Sequence, residues 1–347
     1  MKNDVIFIGP LADEKIVGGG NCMKNIFIIR QLRKLSVGVH PIDTNAIRAS
    51  KAKAFPALWH VLTHRKSNFI VSASASGAYK LLKLLRFFRI RKVTYWVIGG
   101  DFPNLLNSGM ISIKPYQNAK TIIVEGKRMM ETLHLCGLNN VLPLPNFKAI
   151  SYIPKKKKAA PDAPVRFVFL SRITEDKGCN YIIQAAKLLN ERGLESKFVV
   201  DFYGGLNKQY KLHFLAELES LPNVEYKGFL KLLDNDENYD ILASYDAMLF
   251  PTFHCGEGFA GIFIDAFMAG LPVIATDWSL NGEIISDGET GIIVANRNAE
   301  KLADAMERVI LSPDIIRNMA ERCQKECMNF DTDHVVTPAL ISRLGFR

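Results

Sequence analysis

Residues 250–276, FPTFHCGEGFAGIFIDAFMAGLPVIAT, read as a strand end, a glycine-rich loop, a short helix stopped by glycine, a proline and a second apolar strand. That is the layout of a phosphate-handling turn in a parallel α/β sheet. From Gly258 to Thr276 the one charged residue is Asp265. A carboxylate in an apolar helix is costly to bury alone, so it is either satisfied inside the protein or meets a polar ligand. Gly256, Gly258 and Gly261, with Phe259 and Ala260 between them, let the backbone come close to a ligand. A helix starting near residues 260–262 would favour an anion there. Asp265 stands about one turn further on, roughly 5 Å along the axis, within reach of a hydroxyl beside that anion. Glu257, in the loop, faces the other side. One acid near a ribose, amides on a diphosphate and one acid near a sugar describe a nucleotide-sugar site; the competing reading is a loop charge and a core acid.

The spacing of glycine and acid also carries a resemblance. It is similar to the donor-site signature of the retaining glycosyltransferases of family four, in which Glu, seven residues and a second Glu lie in a pattern like EGFG…EAMAxGxPVIAT. Glu257, Gly258, Phe259, Ala266, Ala269, Gly270 and the run Pro272, Val273, Ile274, Ala275, Thr276 stand in register. The chain departs from the pattern at the second acid, which is Asp265, one methylene shorter, and at Ala260, where Gly is common. The resemblance implies a GT-B fold, two Rossmann-like doubly wound α/β domains facing across a cleft.

The length of 347 residues agrees with two domains, since single cores seldom grow past about 250–300 residues. Apolar residues make up 48%, enough for a large core. No uncharged apolar run approaches the roughly 18 residues needed to cross a bilayer. The opening MKNDVIFIGPL, with an acid at Asp4, reads as a first strand and not a signal peptide. The six cysteines are scattered without a C-x-x-C, so neither a zinc site nor a disulfide framework is expected and a reducing cytoplasm fits. The net charge of +9 hides an asymmetry: residues 1–150 hold 22 Lys or Arg against 7 Asp or Glu, the remainder 22 against 28. The two halves therefore suit different partners.

In the first half, a strand near residues 5–9 leads through a loop ending in Gly18, Gly19 and Gly20 to a helix near residues 21–34, with Met23, Ile26 and Phe27 expected on its buried face. By themselves the three glycines make a tight turn as readily as a phosphate loop. Residues 78–92, AYKLLKLLRFFRIRK, form a basic amphipathic helix, with Leu81, Leu84, Leu85 and Phe88 on one stripe and Lys80, Lys83, Arg86, Arg89, Arg91 and Lys92 unopposed by any acid. Such a helix either lies in an anionic membrane interface or packs on the sheet with its charges solvated. The next strand ends in Gly99, Gly100 and Asp101, an acid where α/β sheets place reactive groups, or else the cap of the following helix.

Residues 153–164 carry a Lys run from 155 to 158 and three prolines, and read as a solvated linker. The expected division is 1–152 for an acceptor-binding domain, 165–328 for a donor-binding domain, and 329–347 for a C-terminal helix crossing back to the first. After a strand at 165–170 comes SRITEDKG, in which Arg172 and Lys177 flank a turn at a helix start, two cations suited to a diphosphate. That segment also resembles the family's SRxxxxKG motif, whose Arg and Lys hold the donor diphosphate. Gly228 and Phe229 close a later turn.

The resemblance implies retaining transfer of a sugar from a nucleotide diphosphate donor, UDP-sugar foremost, to a lipid-linked or saccharide acceptor in surface or capsular polysaccharide synthesis. It assigns Gly18, Gly19 and Gly20 to the donor phosphates and sugar, Gly228 and Phe229 to the base, Glu257 to a sugar hydroxyl and Asp265 to the ribose. Arg172 and Lys177 fall on the leaving diphosphate and Asp101 faces the transferred sugar. It implies no metal and no cofactor; the cysteine usage points to the cytoplasm, and the basic helix of residues 78–92 offers peripheral contact with an anionic membrane face as the alternative to a solvated surface helix. The rival readings are a nucleotide-sugar-binding protein without transfer activity and an NAD-dependent oxidoreductase. The latter is opposed by the lack of a G-x-G-x-x-G in the first loop, and a nucleic-acid partner by the lack of a recognised binding motif.

Overall fold

The computed structural model describes residues 4–11, 20–156, 160, 162–232 and 236–346. The chain divides into two compact units, Met1–Ala149 with Phe330–Arg347, and Ile150–Asn329. Each is built on one parallel sheet of six strands with helices packed on its faces.

In the first unit the strands are β1 (Asp4–Gly9), β2 (Gly38–Asp43), β3 (Asn68–Ala73), β4 (Val93–Val97), β5 (Thr121–Val124) and β6 (Val141–Pro143). They lie in the order β2-β1-β3-β4-β5-β6. Covered on both faces, the central strands are continuous apolar runs, and β3 and β4 are buried at every position. The helix Gly20–Lys34 is buried more completely than its periodicity suggests: Lys24, Asn25 and Gln31 are inside together with Phe27, Ile28, Ile29 and Leu32, whereas Met23 and Ile26 are half-buried. Each buried polar group there is satisfied. Lys24 pairs with Glu125 at 2.5 Å, Asn25 accepts from the Ser72 hydroxyl at 2.6 Å, and Gln31 donates to the Val336 carbonyl at 3.0 Å. The last contact comes from the returning segment, whose Val336, Ile341, Leu344 and Phe346 are buried. Its backbone is fastened by Asn68, donating to the Gly345 carbonyl at 3.0 Å, and Lys120, donating to that of Leu344 at 2.7 Å.

The helix read over residues 78–92 runs instead over Ala75–Phe87 and ends before its last basic residues. Its buried face is Ala78, Leu82 and Leu85; Leu84 and Phe87, 40% and 78% exposed, stand out among the lysines and arginines. The hydrophobic stripe of the sequence is thus rotated, because Leu82 and Leu85 meet the sheet.

The second unit holds β7 (Val165–Leu170), β8 (Phe198–Tyr203), β9 (Val224–Gly228), β10 (Ala247–Phe250), β11 (Val273–Thr276) and β12 (Gly291–Val294) in the order β12-β11-β10-β7-β8-β9. Counted from its own first strand, this is the 3-2-1-4-5-6 order of dinucleotide-binding sheets. The segment before it is not freely solvated. Tyr152 donates to Asp240 at 2.6 Å, Gln324 donates to the Pro154 carbonyl at 3.0 Å, and Lys156 donates to the Tyr245 carbonyl. Burial pushes the Lys156 ammonium down to about 8. Lys157 and Lys158 of that run lie outside the described residues. No helix among the described residues is long and apolar enough to cross a membrane.

Gly178 ends the turn after β7 in the left-handed region (φ 82°), and a Cβ there would stand 2.0 Å from the Pro251 carbonyl oxygen. Gly178→Ala should therefore cost about 3 kcal/mol or more in urea unfolding, strain and overlap together. Gly193→Ala, with a similar φ of 79° but nothing within 4 Å, should cost about 1 kcal/mol. Equal losses in the two variants would remove the packing argument.

Candidate functional site: the loops after β7 and β10

In the second sheet the chain leaves β7 toward β8 on one side and later reaches β10 on the other, so the loops after β7 and β10 lie side by side at the carboxyl ends of the strands, where the strand order reverses. Both motifs fall there. Arg172, Asp176 and Lys177 follow β7; Thr252, His254 and Glu257 follow β10.

Lys177 and Glu257, 80 residues apart, form an ion pair between Nζ and Oε2, and both are buried, 6% and 8% exposed. Glu257 also accepts from the Thr252 hydroxyl at 3.0 Å, and its own carbonyl accepts from Ser279 at 2.6 Å. Two charges out of water are tolerated because each is the other's partner and the carboxylate is further hydrogen-bonded. Arg172 is exposed at the mouth of the same turn. The two cations therefore differ: Arg172 is open to an incoming anion, while Lys177 is committed to Glu257.

A second contact ties the same loops. The His254 ring holds Asp176 through Nδ1 at 2.6 Å, the Thr174 hydroxyl donates to Asp176 at 2.5 Å, and the Phe253 amide donates to the Asp176 carbonyl at 2.9 Å. Burial works to raise the Asp176 carboxyl, but the bonds from Thr174 and His254 and the charges of His254 and Lys177 outweigh it and hold it below the usual carboxylate range. Gly204 closes the floor, where a Cβ would meet the Ser171 carbonyl oxygen at 1.7 Å.

Asp265 lies in the helix Ile262–Met268, 2% exposed, and accepts from the Tyr239 hydroxyl at 2.7 Å. Phe259 and Ala260, in the loop before that helix, are buried, 4% and 9% exposed. Gly228 turns with φ 88° and presents Phe229, 64% exposed, past the end of β9. Asp101 lies in the first unit at the start of the helix Phe102–Asn107, without a side-chain capping bond. Gly20 begins the first helix; Gly18 and Gly19 lie outside the described residues.

The structure thus joins Lys177 to Glu257 and adds Thr252, Asp176 and His254, none of which the sequence reading singled out. Asp176 sat inside the quoted SRITEDKG, but no spacing rule pairs residues 78 apart. Removing one partner of the buried pair strands the other charge. Glu257→Gln should lower unfolding free energy by about 3 kcal/mol, and Lys177→Met combined with Glu257→Leu should recover most of that. A single variant within 1 kcal/mol of wild type in urea would show the pair to be solvated.

Residues 153–326 match the family model described as "Glycosyl transferases group 1". Among curated relatives, the chain is 26% identical over 195 residues to the "Uncharacterized 41.2 kDa protein in cps region" of Klebsiella pneumoniae, covering 56% of this chain and 45% of that one. It is 24% identical over 183 residues to the "Capsular polysaccharide biosynthesis glycosyltransferase CapM" of Staphylococcus aureus, covering 50% and 44%. These matches span less than half the length of the relatives. Among solved structures, Anabaena HepE in complex with UDP superposes with a TM-score of 0.70 at 14% identity over 98% of each chain, a likeness of fold. The fold is GT-B, as the donor-loop motif implied. With the family model covering half of its length, the chain belongs to the group 1 glycosyl transferases.

Proposed function

We propose that this protein moves a sugar, with retention of anomeric configuration, from a nucleoside diphosphate donor, a UDP-sugar foremost, to a lipid-linked or saccharide acceptor in surface polysaccharide assembly. The observation that carries the reading is the pairing of Lys177 with Glu257 across the turns after β7 and β10, with Arg172 exposed on the first of those turns. Arg172 meets the diphosphate, and its charge and that of Lys177 oppose the negative charge that grows on the leaving group as the glycosidic bond breaks. Glu257, released in part from Lys177, takes a sugar hydroxyl; Asp265 takes the ribose and Phe229 the base. Asp101 and the loop ending in Gly18, Gly19 and Gly20 are assigned to the transferred sugar. Two cations, one held and one exposed, suit a departure that needs no metal or cofactor. Support comes from the bound UDP of HepE and from the capsule-region relatives.

Calorimetric titration with UDP-, GDP- and ADP-sugars, with and without EDTA, tests the donor. Binding of one UDP-sugar, unchanged by EDTA and weakened ten- to a hundredfold by Arg172→Ala, is the expected result. Binding of none of the three would remove the reading. The anomeric configuration of the product, read by NMR, decides retention.

The acceptor side of the proposal includes an anionic membrane surface. No Asp or Glu occurs from Thr44 to Gly100, against eleven Lys or Arg. In the same stretch Phe55 and Trp59, four apart on the helix Ala54–Thr63, are 75% and 63% exposed. Val61 of that helix shares one buried cluster with Leu82, Leu85, Phe69 and Val71, so it covers the same face of the sheet as Ala75–Phe87, with its exposed Leu84 and Phe87. Aromatic rings set among unopposed cations suit a headgroup layer. Each cation near such a surface contributes about 1 kcal/mol, so neutralising Lys80, Lys83 and Arg86 should cut co-sedimentation with phosphatidylglycerol vesicles about a hundredfold. Equal partition onto phosphatidylcholine vesicles would end the membrane reading.

A further inference from the structure

His254 is fixed from three directions. Its amide donates to the Thr252 hydroxyl at 3.2 Å, its carbonyl accepts from the Trp278 indole at 2.8 Å, and Nδ1 sits 2.6 Å from Asp176. The ring nitrogen left over, Nε2, lies against the backbone of its own loop, where a Cβ on Gly256, beside Glu257, would come within 2.9 Å of it. The side chain keeps 28% of its surface open. The ring is held by the Asp176 carboxylate on a main chain fixed by Thr252 and Trp278, in the same two turns as Lys177 and Glu257, and so is positioned as a ligand group is, with its tautomer set by the bond at Nδ1.

Resting on the donor-site reading above, we propose that His254, oriented by Asp176, binds the terminal phosphate of the nucleoside diphosphate through Nε2. With Lys177 shared with Glu257, it and Arg172 leave part of the charge of a diphosphate unmatched. The phosphate binds the imidazolium form of the ring, with Nε2–H on a phosphate oxygen and Nδ1–H on Asp176, a charge-assisted bond. His254 is then a binding residue, and Asp176 a positioning residue that acts through it.

The test is calorimetric titration of the full chain with UDP and with UMP, or the corresponding pair for whichever base the wild type prefers. UMP lacks the terminal phosphate and so reports whether the rest of the site is intact. His254→Gln should weaken UDP about tenfold, the worth of one charge-assisted bond, and UMP less than twofold. Asp176→Asn, which loosens the ring, should weaken UDP several-fold with the same selectivity. Loss of UDP and UMP affinity in equal measure would show a merely structural role and overturn the proposal, as would unchanged UDP binding in His254→Gln. A wild type that binds no nucleoside diphosphate overturns the donor reading itself, and this proposal with it.

Discussion

Lys177 and Glu257 face each other out of water, and the second sheet is arranged so that they can. The cost of desolvating a lone ammonium or carboxylate is several kcal/mol, so neither loop can hold its charge without the other. The turn after β7 must therefore lie against the turn after β10, and Gly178, which touches the Pro251 carbonyl, is where the two backbones close. The same meeting brings Asp176 to His254 and leaves Arg172 outside.

The two sheets share strand number and direction but not order. In the second unit the order reverses beside β7, and the family signature lies at that reversal. In the first the corresponding point is between β1 and β3, where Asn25 bridges to the Ser72 hydroxyl and the buried Lys24–Glu125 pair stands behind. Both units thus hold a Lys–Glu pair near the carboxyl ends of their strands. The surface charge differs instead: the acid-free stretch from Thr44 to Gly100 belongs to the first unit.

Strands and loops were legible because buried parallel strands are short, uninterrupted apolar runs closed by glycine, as VRFVFL before SRITEDKG shows. Arg172, Lys177 and Glu257 were legible from local motifs. What could not be read was tertiary. Tyr239 comes to Asp265 across 26 residues and His254 to Asp176 across 78, and nothing periodic announces either. The helix Gly20–Lys34 misled for a related reason: an element covered on two sides buries polar residues such as Asn25 and Gln31, which a one-sided pattern assigns to solvent. The helix Ala75–Phe87 misled by having more apolar residues than its contact face uses, so the pattern did not single out Leu82 and Leu85.

The return of Phe330–Arg347 to the first unit sets an order of events during synthesis. Ile341, Leu344 and Phe346 complete a core whose other walls were translated some 300 residues earlier, and the Gly345 carbonyl waits for Asn68 across 277 positions. The second unit, contiguous from Ile150 to Asn329, leaves the ribosome whole and can close while the first still lacks part of its wall. The earlier-made unit is thus the later to mature, and a nascent chain stalled before Phe330 would carry a contiguous second unit and a first unit still missing part of its apolar wall.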